Sequence, residues 1–307
     1  MTELPWRQLR DESIERLRTA GVDHPEQEVR WIIERASGHS PSEQVGALDD
    51  PVTEREVRFV DQMVSRRAEG EPLQYVLGRW GFRTLDLLVD PRVLIPRPET
   101  EVVAGLAIDA LDGPGVVVDL GTGSGAIALA RALPRPVVVA DLGTGSGAIG
   151  LSVADELPVD GVGVWITDVS PDALDVARAN LAGLGRRAAA VRLVEGDWFA
   201  ALPAELLGRV DVLVSNPPYV AADEPLPSEV AEWEPGGALV SGPTGLEAIE
   251  RIVLGAPQWL SADGTLVLEI GETQGEAVVA LARAAGFGSV DIRRDLADRD
   301  RALVAHR

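Results

Sequence analysis

Residues 137–147 read Val137-Val138-Val139-Ala140-Asp141-Leu142-Gly143-Thr144-Gly145-Ser146-Gly147, a valine-rich run followed by alternating glycines. The valine run has the length of a buried strand, and the glycines allow the backbone to turn sharply and to approach a ligand closely. A helix that begins after them presents free N–H groups to a carboxylate or another anionic group. The stretch therefore predicts a strand–turn–helix unit that binds a cofactor.

The chain beyond about residue 99 continues this alternation of strands and helices. Helical spacing is found at Asp172–Leu184 and Leu246–Leu260. Apolar runs of buried-strand length lie at Val137–Asp141, Val162–Asp168, Val191–Val194, Val210–Ser215 and Thr265–Ile270. This order is typical of a doubly wound parallel sheet, so we predict a Rossmann-like α/β fold over residues 99–307. The runs near 289–293 and 302–306 are close enough in sequence to form an antiparallel hairpin.

The first 72 residues have a different pattern, in which apolar residues recur at helical spacing and turn formers separate the runs. We predict a small helical domain over residues 1–72, with Asp23 and Thr53 as helix N-caps. Glu56 follows Thr53 by three residues, which predicts a capping box. Residues 73–98 contain short extended runs broken by glycine and Asp-Pro, which predicts a hairpin linker.

Composition excludes several kinds of chemistry. The chain has no cysteine and no lysine, and its 28 basic side chains are all arginine. These absences exclude disulfides, thiolate nucleophiles, Schiff-base lysines and the lysine of a phosphate-binding P-loop. The three histidines are scattered along the sequence, so we predict no metal site. A net charge of −21 argues against a nucleic-acid partner, and no apolar run reaches the ~18 residues that span a bilayer. We therefore expect a cytoplasmic protein.

The glycine-rich stretch occurs twice. Asp119–Ile127 recurs verbatim as Asp141–Ile149, an offset of 22 residues, and valines precede both copies, so we predict a tandem duplication over residues 116–151. An acidic residue that ends the next strand binds ribose hydroxyls in such folds. Asp168 lies 27 residues after Asp141, the first residue of the second copy, and Asp141 lies 22 residues after Asp119, the first residue of the first copy. We favour the second copy, because Asp141 would otherwise serve as ribose ligand while starting a glycine turn.

Two further positions are candidates for cofactor contacts. Asp168 can accept both ribose hydroxyls, although it can also cap the following helix, a role that Ser170 fills equally well. Asp197 and Trp198 follow the third strand, where a carboxylate and an aromatic edge can frame an adenine. Trp198 is equally suited to packing in the core.

Asn216-Pro217-Pro218-Tyr219 ends a buried strand in a stiff turn. The carboxyl ends of parallel strands carry the site in such sheets, so this loop faces the cofactor. The Asn216 side-chain oxygen and the Pro217 carbonyl can accept both hydrogens of one –NH₂ group and orient its nitrogen for attack on an electrophilic methyl group. Tyr219 can stack on a flat substrate group. No strong base is needed, because the nitrogen loses its proton readily once it carries positive charge.

With these motifs in place, the chain resembles the release-factor glutamine methyltransferases (the PrmC/HemK family) over nearly its whole length. The residues that carry the resemblance are Leu94-Ile95-Pro96-Arg97-Pro98-Glu99-Thr100-Glu101, the glycine loop, Asp197-Trp198-Phe199, Asn216-Pro217-Pro218-Tyr219 and Glu269-Ile270-Gly271. The Asn-Pro-Pro-Tyr loop is shared with nucleic-acid amino-methyltransferases, whereas the Ile-Pro-Arg-Pro-Glu-Thr-Glu segment is more particular to this family. The duplicated block departs from the family pattern.

The resemblance implies S-adenosylmethionine as the cofactor and a peptide-chain release factor as the partner. It implies methylation of the side-chain amide of the glutamine in a Gly-Gly-Gln motif, with the N-terminal helices docking the protein substrate. The implied substrate contacts, which include the catalytic ones, are Asn216, Pro217, Pro218 and Tyr219. The implied cofactor contacts are Gly143, Thr144, Gly145, Ser146, Gly147, Asp168, Trp198 and Asn216.

Two other functions remain open at this stage. An adenine or guanine N-methyltransferase has the same loop chemistry, but it is expected to carry a basic face or a target-recognition domain. Alternatively, the duplication has destroyed the cofactor pocket and left a protein that binds without catalysis.

Overall fold

The computed structural model describes residues 4–82, 85–110, 117–120, 137–147, 151 and 162–307. The chain divides into two compact units, one formed by Met1–Arg79 with Pro227–Trp233 and the other by Trp80–Leu226 with Glu234–Arg307. The domain limits expected from the sequence stay predictions. Among the described residues no helix is long and apolar enough to cross a membrane.

The helices follow the apolar periodicity of the sequence. In chain order they are α1 Trp6–Thr19, α2 Pro25–Ser37, α3 Pro41–Gly46, α4 Glu54–Ala68, α5 Leu73–Leu77, α6 Pro98–Asp109, α7 Pro171–Leu181, α8 Ser228–Trp233, α9 Gly236–Leu239, α10 Glu247–Trp259 and α11 Gly275–Ala284. Short 3-10 helices cover Ala182–Ala190, Trp198–Ala201 and Ala204–Leu206.

The first unit is helical because apolar residues line one face of its longer helices, α1, α2 and α4. Thr53 and Glu56 form the predicted capping box, since Thr53 Oγ1 accepts from Glu56 N at 3.3 Å and Glu56 Oε2 accepts from Thr53 N at 2.8 Å. The predicted Asp23 cap is wrong by one residue. Helix α2 starts at Pro25 with His24 as N-cap, because the fixed φ of proline suits the first helical position. The core contains Leu17, Val29, Ile32, Val60 and Met63.

The predicted extended linker is helical at its start. Residues Leu73–Leu77 form α5, which ends at Gly78 in the left-handed conformation (φ 70°) that glycine adopts readily. The two flanking residues, Pro72 as N-cap and Gly78 as C-cap, therefore set the limits of this short helix. The hairpin begins only after it, and its two strands, β1 (Arg79–Phe82) and β2 (Leu85–Leu88), form a separate two-stranded sheet.

The second unit is built on a sheet in which eight strands are described. These strands are β3 Val117–Leu120, β4 Val137–Leu142, β5 Val162–Asp168, β6 Val191–Glu195, β7 Val210–Ser215, β10 Leu260–Glu269, β11 Ser289–Arg294 and β12 Asp300–His306, and a small separate sheet pairs β8 Val220–Ala221 with β9 Val240–Gly242. The order is β11-β12-β10-β7-β3-β4-β5-β6, and the pairs from β10 to β6 are parallel. The strand β12 is antiparallel to both β10 and β11, which confirms the predicted terminal hairpin.

Both copies of the duplicated segment contribute a strand to this sheet. Strands β3 and β4 are parallel neighbours, with Asp119 opposite Asp141 and Leu120 opposite Leu142. Strand β3 also pairs with β7, where Asp119 lies opposite Val214, and β4 pairs with β5. The first copy therefore separates the second copy from the strand that leads into Asn216.

Strand β7 reaches the site from a well-packed core. The apolar side chains of β7 and β10 pack with helix α10 and helix α11 in one cluster. Its fully buried members include Leu213, Ile249, Ile252, Leu266 and Val278. This packing fixes the carboxyl ends of β7 and β10, where Asn216 and Glu269 lie.

Candidate active site

A cavity of about 450 Å³ lies in the second unit at the carboxyl ends of β4, β5, β6 and β7. Its volume is within the ~300–1,000 Å³ range of small-molecule sites. The predicted site residues on its wall are Gly143, Gly145, Asp168, Asp197, Trp198, Asn216 and Pro218. The remaining lining residues are Arg92, Val93, Leu94, Val169, Ser170, Ala173, Gly196, Pro235, Gly237 and Ala238.

The glycine loop of the second copy is held against the end of β5. Gly143 N and Thr144 N both donate to Thr167 O, at 2.7 and 2.8 Å. Gly143, Gly145 and Gly147 all have positive φ, at 73°, 53° and 81°, a region that side-chain-bearing residues rarely adopt. A Cβ on Gly147 would lie 2.9 Å from the Cβ of Ala177, so this glycine is also required for packing against α7.

The two hydroxyl residues of the same loop, Thr144 and Ser146, are buried. Asn180 of α7 fixes the loop from the other side, since its Nδ2 donates to Ser146 O at 2.7 Å. The corresponding glycines of the first copy, residues 121–125, lie outside the described residues.

Asp168 is buried at the end of β5 and faces the glycine loop. Its Oδ2 accepts from Gly145 N and its Oδ1 from Ser170 N, both at 2.9 Å. Burial raises the pKa of this carboxyl, while the backbone hydrogen bonds lower it. Ser170, rather than Asp168, caps α7, because its Oγ accepts from Ala173 N at 3.2 Å. Each carboxylate oxygen of Asp168 retains acceptor capacity toward the cavity.

Asp197 and Trp198 follow strand β6 and line the cavity. Trp198 has a φ of 45°, an unusual value for a residue with a side chain, and residues in such conformations cluster at functional sites. Trp198 lines the cavity and also packs against the core cluster, so core packing is confirmed, while its contact with an adenine stays a prediction. Asp197 lies at the exposed rim, where its Oδ2 accepts from Arg251 Nη2 at 2.6 Å.

The Asn-Pro-Pro-Tyr loop brings Asn216 and Pro218 to the cavity wall, whereas Pro217 and Tyr219 are not among its lining residues. Asn216 is buried, and its Nδ2 donates to Thr100 Oγ1 at 3.2 Å. The Tyr219 hydroxyl instead donates to Glu269 Oε1 at 3.4 Å. Gln274 fixes the end of the loop, because its Nε2 donates to Tyr219 O at 2.8 Å.

Thr100 and Glu269 are neighbours of the reaction loop to which sequence reasoning assigned no role. Thr100 Oγ1 donates to Glu269 Oε2 at 2.8 Å, and both side chains are buried. Burial raises the pKa of Glu269 to about 7, although the hydrogen bonds from Thr100 and Tyr219 and the charge of Arg301 lower it. A carboxyl directly after the apolar run Leu266–Leu268 was the available signal, because such a residue requires partners when it is buried.

Glu234 is a second buried acid that the sequence did not single out. Its carboxylate accepts from Ile95 N at 3.2 Å and from the Arg97 guanidinium. This contact ties the Ile-Pro-Arg-Pro segment to the residues that precede Pro235 and thereby positions one wall of the cavity. No local pattern marks this residue, because Glu234 and Arg97 are 137 residues apart in the sequence.

The described residues contain no group of three or more His, Asp or Glu side chains that could hold a metal ion. The polar groups at the cavity are backbone amides, the carboxylates of Asp168 and Asp197, the Asn216 carboxamide, the Ser170 hydroxyl and the Arg92 guanidinium. These groups can hydrogen-bond a polar organic molecule.

Comparison with known proteins was made by sequence and by structure. The PrmC N-terminal domain matches residues 8–78, and the methyltransferase small domain matches residues 131–231. The release factor glutamine methyltransferase of Moorella thermoacetica is 38% identical over 308 residues, covering 98% of each chain. That of Burkholderia pseudomallei is 39% identical over 281 residues, covering 90% of each chain.

Among solved structures, the release factor-specific protein-(glutamine-N5) methyltransferase of Alicyclobacillus acidocaldarius is 26% identical. The match covers 71% of this chain and 98% of that one, with a TM-score of 0.36. The family assignment rests on the two sequence relatives, which cover 98% and 90% of this chain.

These relatives confirm the resemblance drawn from the motifs. They also confirm the expected α/β methyltransferase fold and S-adenosylmethionine as the methyl donor. The chain belongs to the release factor glutamine methyltransferase family.

Proposed function

We propose that this chain transfers the methyl group of S-adenosylmethionine to the side-chain amide nitrogen of the glutamine in the Gly-Gly-Gln motif of a peptide-chain release factor. One observation carries the proposal. A single cavity is lined both by Gly143, Gly145 and Asp168 and by Asn216 and Pro218 of the reaction loop. Methyl transfer requires donor and acceptor within ~3–3.5 Å, and such a cavity is where both can meet.

The residues on the glycine-loop side fit the cofactor. The buried carboxylate of Asp168 suits the ribose hydroxyls, and the face of Trp198 with the Asp197 carboxylate suits an adenine. Gly143 and Gly145 line the cavity without side chains, so a ligand can come close to their backbone, and Thr144, Ser146 and Gly147 complete the same loop. When bound, S-adenosylmethionine supplies a methyl group made electrophilic by its sulfonium.

The reaction loop then orients the acceptor. Asn216 Oδ1 and the Pro217 carbonyl accept the two amide hydrogens of the substrate glutamine, which aims its nitrogen lone pair at the methyl group. Pro218 closes the cavity beside them, and Tyr219 contributes to substrate contact at the end of the loop. Since the nitrogen gains positive charge as the bond forms, these oxygens stabilise the transition state and the proton is then lost to water.

The substrate is a protein, and the helices of the first unit are proposed to dock it. That unit carries a net excess of acidic side chains in keeping with the whole chain, whose charge is −21. Such a surface disfavours direct binding of nucleic acid, because counterion release from basic side chains supplies most of that affinity. Because release factors act in translation, the proposed partner supports a cytoplasmic location.

The test is methyl transfer from labelled S-adenosylmethionine to purified release factor, to the same factor with the motif glutamine replaced by alanine, and to total tRNA and DNA. We expect label on the first protein alone. The Asn216→Ala variant should retain affinity for S-adenosylhomocysteine within about tenfold while losing transfer by ~100-fold or more. Labelling of nucleic acid without release factor would replace this function by the alternative one.

A further inference from the structure

Four side chains form a buried chain of hydrogen bonds behind the reaction loop. Asn216 Nδ2 donates to Thr100 Oγ1 at 3.2 Å, Thr100 Oγ1 donates to Glu269 Oε2 at 2.8 Å, and Tyr219 Oη donates to Glu269 Oε1 at 3.4 Å. Asn216 is 8% exposed, Thr100 2% and Glu269 0%. Water therefore does not compete for these partners, and the chain of bonds has a defined direction.

The direction follows from the number of protons available. A carboxylate only accepts hydrogen bonds, so the single hydroxyl proton of Thr100 must point toward Glu269. The Thr100 oxygen can then only accept from its other neighbour. Its partner on Asn216 must therefore be the amide nitrogen.

This constraint decides which Asn216 atom faces the cavity. The amide nitrogen and oxygen have nearly the same size and shape, so sterics alone do not choose between the two orientations. With Nδ2 directed at Thr100, Oδ1 is left for a group in the cavity. An oxygen there binds an –NH₂ donor, whereas a nitrogen there would repel it.

We propose that Thr100 and Glu269 are positioning residues that hold the Asn216 amide with Oδ1 toward the cavity, and thereby select an –NH₂ group as methyl acceptor. The inference rests on the proposed function. It assigns to Thr100 and Glu269 a role that acts through Asn216, without contact to substrate.

Protonation of Glu269 would release this constraint. A carboxylic acid can donate a hydrogen bond to Thr100 Oγ1. The Thr100 hydroxyl can then donate to Asn216 Oδ1, which allows the Asn216 carboxamide to rotate by about 180°. The groups that face Glu269 are Thr100 and Glu99 from α6, Tyr219 from the reaction loop and Arg301 from β12. Since burial raises the pKa of Glu269 to about 7, the charged, productive form is present above that pH and is lost below it.

The first experiment compares Thr100→Val with Thr100→Ser. Valine has the shape of threonine without the hydroxyl, whereas serine retains it. We expect Thr100→Val to lower kcat about tenfold or more and to leave the KM for S-adenosylmethionine unchanged, since Thr100 is not among the residues that line the cavity. Thr100→Ser should stay within threefold of the parent. Equal kcat values for the two variants would overturn the proposal.

The second experiment needs no methyl transfer. Side-chain ¹⁵N–¹H spectra of the full chain, with the Asn216 amide identified by its absence in Asn216→Asp, report the exchange rate of its protons with water. We expect slow exchange in the parent and in Thr100→Ser, and at least tenfold faster exchange in Thr100→Val. Identical exchange in all three proteins would refute the role of Thr100.

The third experiment uses Glu269→Gln, whose amide oxygen can still accept from Thr100 but does not titrate. The parent should lose kcat as the pH falls through about 7, and the variant should show no such step. A step of equal size in both proteins would contradict the role of Glu269. If the parent binds S-adenosylhomocysteine but labels no release factor, the proposed function has failed, and the exchange measurement still decides this inference.

Discussion

The two copies of Asp-Leu-Gly-Thr-Gly-Ser-Gly have the same sequence and occupy different positions in the sheet. The strand of the first copy, β3, lies between β4 and β7, whereas the strand of the second, β4, lies between β3 and β5. Only the second copy therefore adjoins the strand that ends at Asp168. Its glycine loop bonds directly to that carboxylate, through Gly145 N and Asp168 Oδ2.

The difference shows that a motif acquires its role from its neighbours. Both copies have the same tendency to form a strand, a turn and a helix start, because those tendencies depend on local sequence. Binding also requires a partner carboxylate and a partner loop from other strands. The second copy has the carboxylate beside it but lies two strands from β7, and the first copy is beside β7 but one strand farther from Asp168.

The largest expected effect comes from removing the partner carboxylate. Asp168→Ala should weaken S-adenosylhomocysteine binding by about 100-fold or more, because it removes an acceptor for the ribose and leaves Gly145 N without its bond. Calorimetry measures the affinity, and Asp172→Ala, which removes an exposed acid in the first turn of α7, is the control. Unchanged affinity in Asp168→Ala would mean that the first copy, with Asp141, binds the cofactor.

The next test substitutes the equivalent glycine in each copy. Gly147→Ala forces a side chain into a left-handed conformation and to 2.9 Å from Ala177 Cβ, so it should weaken binding about tenfold or more. Gly125→Ala makes the same change in the first copy and should leave the affinity within twofold. Thermal denaturation of both variants separates loss of binding from loss of folding. The reverse pattern of affinities would reassign the site to the first copy.

Deleting one of the two copies would leave a single glycine loop in the sheet. Excising residues 119–140 joins Val118 to Asp141 and leaves one strand that satisfies both registers, with β7 through the β3 pairing and with β5 through the β4 pairing. The glycine loop would move one strand spacing, ~4.8 Å, closer to Asn216. We expect kcat to rise severalfold with S-adenosylhomocysteine affinity unchanged. A deletion variant that folds but transfers methyl more slowly would show that the extra strand contributes to the site.

The smallest expected effect concerns Glu269, which lies behind the reaction loop and belongs to neither copy. Burial raises the pKa of Glu269 from 4.5 to about 7, so its contribution to stability is present below pH 4.5 and is lost as the pH rises through 7. At pH 8 the buried charge costs on the order of 3 kcal/mol. Glu269→Gln should therefore raise Tm at pH 8 by several degrees and less at pH 5, whereas exposed Glu276→Gln should change neither. Equal gains at both pH values would contradict this titration.

Much of the fold and part of the site could be predicted from the residues. The helix and strand runs, the capping box at Thr53 and the terminal hairpin all follow from periodicity and local hydrogen bonding. The reaction loop followed from two prolines after an apolar strand. Two local predictions were wrong. The N-cap of α2 is His24 rather than Asp23, and Leu73–Leu77 form a helix where an extended run was predicted.

The sequence by itself determined which segments form strands, which turns require glycine and which side chains carry the chemistry, because these properties depend on neighbours within a few residues. The tertiary structure decided which of two identical segments faces Asp168, since identical sequences have identical local preferences and only strand order distinguishes them. It also decided that Thr100 contacts Asn216, 116 residues away, and Glu269, 169 residues away. Contacts at such separations depend on how the sheet is assembled, and no local pattern encodes them.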